Sequence, residues 1–450
     1  MASNRISIEL TADTPQSSTA EFQHNRTIDS IEANYANDTQ VGFSLPRADG
    51  GKDAWLFLMS CFMLEALIWG FPSTYGVFQE YYSTHEPFAG SSNIPVVGTC
   101  AMGIMYMDIT VGFALLKRFP KLRAWSAPVG LTIVSLALGL GSLATNVTHL
   151  ILTQGILYSI GGGLAWSPIL FYLEEWWVQR RGFAYGTTMA GLGMSGAILP
   201  IVLEWLLNTY GFRITLRVCA IAFATATFPV LVFFKPRVPL SQATSSRGLD
   251  LSFWKCPNYL ILQSANIIQS LGYFLPGIYL PTFARSLGAS TIMSIVTVVL
   301  LNAAAFVGSL CMGAAVDRYH VTTCLFVASL GSTISVFLMW GPSTSLPLLY
   351  VFCVMYGAFA GCNSSTWSAI IRDTKEKKRG ADSGMAFAFL SAGKGVGSIA
   401  AGPLSEMLLN VGTWKAGMAY GGDYGAVIVF TGITALLGGW GIGARRLGWL

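Results

Sequence analysis

The chain has 450 residues, of which 53% are apolar and only 11% charged, with 49 glycines and a mean hydropathy of +0.55. A soluble domain carries about 25% charged residues, so this composition excludes one and describes a membrane protein. The net charge of +5 does not indicate nucleic acid, because the basic residues fall in short clusters between apolar runs, a pattern that reports topology.

Residues 1–52 are polar and lack an apolar core, so they cannot offset the entropy of folding and are expected to form a disordered tail. The positive-then-apolar order of a secretory leader is missing, which keeps that tail in the cytoplasm. Twelve apolar runs follow, near 54–80, 92–116, 124–145, 150–175, 182–206, 213–234, 257–284, 290–316, 321–341, 345–371, 383–409 and 424–444. Each can cross about 30 Å of hydrocarbon as a helix. Twelve spans put both termini on the cytoplasmic side. All but five of the 27 lysines and arginines then fall on that side, the exceptions being Arg213, Arg217, Arg285, Lys394 and Lys415.

The hairpin between the fourth and fifth runs holds Arg180-Arg181. Beyond it Gly182, Gly186, Ala190, Gly191, Gly193, Ser195 and Gly196 recur at the spacing that lets one helix press on another in lipid. The eight cysteines lie mostly in or beside apolar runs with no CxxC pair, and read as packing residues. The serine-rich stretch of 235–256 reads as a linker that divides the spans into a bundle at 53–234 and a bundle at 257–450. Within it, 249–254 reads equally well as a short surface helix or as plain linker.

The two bundles repeat. Lys117-Arg118-Phe119-Pro120 and Asp317-Arg318-Tyr319-His320 stand 200 residues apart, and Arg180-Arg181-Gly182 and Lys378-Arg379-Gly380 stand 198 apart. Gly70-Phe71-Pro72 in the first span is echoed by Gly272 to Pro276 in the seventh. Two six-helix halves of one plan resemble the major facilitator transporters, whose site lies between the halves near mid-membrane. The expected fold is therefore an all-α membrane protein of twelve helices in two pseudo-symmetric bundles.

Within that superfamily the chain resembles the monocarboxylate-porter branch in its fungal form. Asp49-Gly50-Gly51 followed by Trp55 is similar to that family's approach to its first helix. Tyr172 through Gln179-Arg180-Arg181, Ala184, Gly186, Ala190-Gly191 and Gly196 resemble its fourth-to-fifth-helix signature, and Tyr210-Gly211-Phe212-Arg213 its turn into helix six. Animal lactate porters carry a lysine after the Phe-Pro of helix one and an Asp/Arg pair in helix eight. Here the matching positions are Ser73, Ala305 and Ser309, so the resemblance does not bring the proton–lactate site with it. Leu116 to Pro120 also lacks the Asp-Arg of the superfamily's first hairpin, whereas Asp317-Arg318 keeps it; with Arg180 and Arg181 these are the gating and topology residues.

Three ionisable residues lie deep in apolar runs, Glu65, Asp108 and Lys394, at similar depths of about 13–18 Å. A charge there costs about 2.5–3.5 kcal/mol on the mildest scale, so each should face a cavity or a partner. The expectation is an Asp108–Lys394 ion pair between the second and eleventh helices, with Glu65 as a protonatable cavity group; structural roles, including Glu65 capping the kink near Pro72, are the plainer alternative. Gln269, Asn266, Asn302, Asn363, Trp367, Tyr158 and Trp166 fill out the cavity set, though any one such residue is more often a packing contact. Glycine clusters such as 161–163 lie in spans without a preceding strand and are not nucleotide loops.

These readings converge on a secondary active transporter of a small organic solute, monocarboxylate-like or a secondary metabolite, with protons as a candidate coupling ion. No cofactor, metal, nucleic acid or enzymatic role is expected, and the chain is expected to act as a monomer in the plasma membrane. An efflux pump and a non-transporting sensor on a transporter scaffold are the alternatives.

Overall fold

The computed structural model describes residues 45–91, 93–238, 249–378, 380–413 and 415–448. Most of the tail, the centre of the linker and Arg379 therefore lie outside the described residues.

Residues 47–450 form one compact unit of helices: α1 Lys52–Thr84, α2 Ile94–Arg118, α3 Pro120–Gly141, α4 Val147–Trp176, a continuous stretch Arg181–Phe233, then α7 Pro257–Ser286, α8 Thr291–Val316, α9 Val321–Trp340, α10 Leu346–Lys377, α11 Ser383–Leu409 and α12 Gly425–Arg446. The stretch of 53 residues is bent at Gly211, whose φ of 74° is open to glycine and strained for other residues. Its arms are named α5 (181–210) and α6 (212–233). Ten of these stretches are long and apolar enough to cross a membrane, the two arms counting as one. Helix α7 is not among them because its buried face carries Asn258, Gln263, Asn266 and Gln269.

The glycine seam packs two ways. Gly182, Gly186, Gly193 and Gly196 press on α8, and Gly191 on the backbone of α1 at Phe62. A Cβ on Gly186 would stand 2.6 Å from the Cα of Gly313, so the two backbones touch through hydrogen alone. Linker residues Ser252–Lys255 form a turn of 3-10 helix. Phe253 there is fully buried against Tyr259 and Phe389, which anchors the segment, while Leu249, Leu251 and Trp254 around it stay exposed.

Helix α2 presents a stripe to α11. Gly103 meets Ile399, the Tyr106 carbonyl accepts from Ser391, Thr110 donates to the Ala388 carbonyl, Phe113 covers Gly384, and Lys117 pairs with Asp382. That spacing of three and four is one face of a helix.

Candidate functional site

A small cavity lies where the two halves of the chain meet. Glu65, Trp69, Tyr106, Ile109, Trp166, Met189 and Leu192 come from the first half; Tyr273, Gly361, Ser364, Trp367, Phe387, Ser391 and Lys394 come from the second. Its volume is about 30 Å³, room for a water or two and far below the ~300 Å³ at which organic ligands are usually held. The structure is thus an occluded one, and a solute fits only when the halves part.

Two charges face this cavity, each 2% exposed. Glu65 accepts a hydrogen bond from the Trp166 indole N–H. Lys394 donates to Ser364 Oγ at 2.7 Å, and its ammonium lies 4.3 Å from the ring centre of Tyr273, 5.9 Å from Trp367 and 6.0 Å from Tyr106. These aromatic faces offset part of the desolvation of the cation. No carboxylate lies within 4.0 Å of Lys394 among the described residues, although Glu65 is near enough for the opposite charges to interact. The ammonium keeps donor capacity for a further acceptor.

Both charges are held by breaks in helices of the repeat. In α4 the helix gives way to a turn at Ser167-Pro168, and in α10 a 3-10 segment runs Gly361–Thr366. The 198-residue offset maps Trp166 onto Ser364 and Gly163 onto Gly361, so the same place in each half supplies the group that binds a buried charge.

The expected Asp108–Lys394 pair is not formed. Asp108 lies two positions from Tyr106, about 200° around the helix, and so on the face away from α11. With Met105 and Gly112 it packs on Gly162, Gly163 and Ser167 of α4. The ion pair that does join α2 to α11 is Lys117 with Asp382, at the end of the spans.

Of the other anticipated residues, Trp166 lines the cavity, and so does Trp367. Tyr158 is fully buried and donates to the Ile68 carbonyl at 2.9 Å. That carbonyl is the one Pro72, four residues on and without an N–H, leaves free. Tyr158, and not Glu65, therefore serves the kink in α1. Gln269 accepts from Asn363, and Asn266 accepts from Trp367 and donates to the Leu390 carbonyl; these amides lie behind the cavity wall and reach it only through the Trp367 indole. Asn302 donates to Val298 in its own helix and fills the notch at Gly196.

At the end carrying the basic loops, Asp317 accepts from the N–H groups of Gly182 and Phe183, both at 2.8 Å, and so caps α5 from the other half. Arg180 and Arg318 are exposed and make no side-chain bond across the halves, and the Nε of Arg181 is buried without a partner. Of the four gating residues named from the sequence, Asp317 alone uses its side chain to bridge the halves. Asp49 accepts from the N–H groups of Val178, Gln179 and Arg180 and ties the chain ahead of α1 to the same hairpin.

Residues 262–446 match the family model described as Major Facilitator Superfamily. The all-helical architecture of the described residues, with ten stretches able to cross a membrane, is consistent with the major facilitator fold. The chain is also similar to curated fungal proteins over most of its length. One is "Aspyridones efflux protein apdF" of Emericella nidulans, 29% identical over 401 residues, which are 88% of this chain and 78% of that protein. "MFS transporter asaE" of Aspergillus flavus is 28% identical over 396 residues, 87% and 86% of the two chains. "Agnestins efflux protein AgnL12" of Paecilomyces divaricatus is 27% identical over 409 residues, 90% and 89%. In the facilitator fold a cavity shared between halves is the place for a transported solute.

Proposed function

We propose that this protein is a secondary active exporter of a small organic metabolite that works by alternating access. In this reading α1–α12 all cross the bilayer, as bundles at 53–234 and 257–450. Both termini are cytoplasmic, the chain is a monomer in the plasma membrane, and it is of the monocarboxylate-porter-like type. The observation that carries the proposal is the closed cavity, walled equally by both halves and holding one buried acid and one buried base. Efflux is favoured over uptake by the relatives named as efflux proteins.

Lys394 and Ser364 are the groups offered to an acceptor on the solute, Glu65 is the site at which a proton is taken up, and the aromatic walls hold the apolar body. Proteoliposomes with an imposed pH gradient, screened with labelled carboxylates and lipophilic acids, test this. Gradient-dependent flux that Lys394→Met abolishes is the expected result. Folded protein that moves nothing across the panel favours the sensor reading, and flux in the uptake direction alone refutes export.

A further inference from the structure

A second and larger cavity lies away from the central site, a groove of about 410 Å³ on the outer side of α9 and α12. Phe326, Ser329 and Leu330 line it from α9 at one-turn spacing, and Leu436, Leu437, Trp440 and Leu447 from α12. Helix α12 breaks at Gly438–Trp440, and no atom lies within 4 Å of where a Cβ on Gly443 would stand, so small residues leave the groove unfilled. Leu330, Leu436, Leu437 and Leu447 are all more than a third exposed, which suits contact with hydrocarbon.

The groove is not uniformly apolar. The Trp440 indole N–H is buried and has no hydrogen-bond partner. Ser329 is 7% exposed, and its hydroxyl makes no hydrogen bond among the described residues. Neither donor is spent within the protein among the described residues. At its mouth, at the end of the spans that carries the basic loops, Arg446 is exposed without an ion pair and Arg445 makes a single 3.4 Å bond to Thr322. The acid nearby, Asp373, already faces His320, Lys377 and Asn258.

We propose that this groove binds an anionic glycerophospholipid of the leaflet at the basic end. An acyl chain fills the groove, an ester carbonyl accepts from Trp440 and Ser329, and the phosphate and anionic headgroup lie against Arg445 and Arg446. A plain hydrocarbon surface would not need the unspent donors, and the paired arginines, whatever their part in topology, set a cation at the level of a headgroup. A helix from a second copy would leave the donors unmet, since its backbone groups are already spent on its own hydrogen bonds.

The test uses the full-length protein, delipidated in detergent and examined by native mass spectrometry and thermal unfolding with added phosphatidylserine, phosphatidylcholine or inorganic phosphate. One phosphatidylserine per chain is expected to be retained and to raise the unfolding temperature, with phosphatidylcholine clearly weaker. Arg445→Gln with Arg446→Gln should weaken phosphatidylserine roughly 30-fold, from the usual strength of a basic residue at an anionic surface. Gly443→Leu, which grows into open space, should displace the lipid while leaving the lipid-free unfolding temperature unchanged. Equal retention of phosphatidylcholine, or undiminished phosphatidylserine in either variant, overturns the proposal. So does phosphate alone matching the lipid's effect, or a dimer that lipid does not dissociate.

Discussion

Replacing Tyr158 with phenylalanine removes one hydroxyl donor, shared between the Ile68 carbonyl at 2.9 Å and the Leu67 carbonyl at 3.4 Å, inside the membrane. The ring is fully buried and phenylalanine fills the same space, so no cavity term enters. What is lost is the donor to the Ile68 carbonyl, which has no helical partner because Pro72 stands where that N–H would be. An orphaned buried carbonyl costs about 1–3 kcal/mol, whereas side-chain bonds within membrane proteins average only ~0.6 and reach ~1.7 kcal/mol. The lack of an alternative partner places this one near the top of that range, at about 1–1.5 kcal/mol. Pro72→Ala returns an N–H to the same carbonyl and should make the tyrosine hydroxyl dispensable. Reversible unfolding in mixed micelles of the two single variants and the double variant gives the coupling, expected at about 1 kcal/mol. An equal cost for Tyr158→Phe in both backgrounds would refute the reasoning.

Gly186→Leu places a side chain where two backbones meet and should cost about 1–3 kcal/mol against the closed state; spin-label distances across the basic end should lengthen. Asp382→Asn keeps the helix cap to Met385 but removes the ion pair with Lys117, so the same distances should lengthen without loss of α11's first turn. Glu65→Gln should remove the pH dependence of flux, and an unchanged pH response would rule out Glu65 as the proton site. His320, in the loop before α9, is held below its usual value by burial first and then by Arg445, with Lys377 and Arg372 adding to this and Asp373 opposing it. The imidazole is therefore neutral in the folded protein at pH 7 despite lying 3.9 Å from Asp373. The unfolded chain then binds more protons as pH falls from the unperturbed 6.5, so this contribution to stability is present above that pH and lost below it. His320→Gln should flatten that part of the stability–pH curve.

The helices were legible because hydropathy and the basic loops both report the bilayer, and the glycine seam because small residues at fixed spacing have few other uses. Depth along the helix was also legible, and it brought Glu65 and Lys394 to one cavity. Direction around the helix was not used, and there the Asp108 pairing failed: counting back from Lys117 in steps of three and four reaches Tyr106 and passes over Asp108. Tyr106, Trp69 and Tyr273 escaped notice because an aromatic facing a cavity and one in a core look alike in sequence. Gln269, Asn266 and Asn363 look like a binding set, but Gln269 and Asn363 bond each other and Asn266 is spent on Trp367 and the Leu390 carbonyl, and only coordinates distinguish a spent polar group from a free one. Ser364 was within reach, since the 198-residue repeat that aligns the basic hairpins also sets it against Trp166.

The 200-residue repeat explains why the first hairpin departs from the superfamily pattern. It equates Lys117 with Asp317, while the 198-residue offset of the next hairpin sets Gly182 against Gly380, two residues before Asp382. In one half the loop carries the acid, and Asp317 caps the bare N-terminus of α5 at Gly182. In the other the loop carries a lysine, and the acid has moved to the helix it meets, where Asp382 both caps α11 and binds Lys117. The contact across the halves is kept with its charges exchanged, so the missing Asp-Arg is compensated. Glu174 adds bonds to Ser383 and Lys375 at the same end. At the opposite end the ion pair across the halves is Arg285 with Glu80, both more than a third exposed, a setting in which a pair contributes about 0–1 kcal/mol. The polar fastening is thus heavier at the basic end, and under the proposed export reading this asymmetry favours opening of the cavity toward the other face.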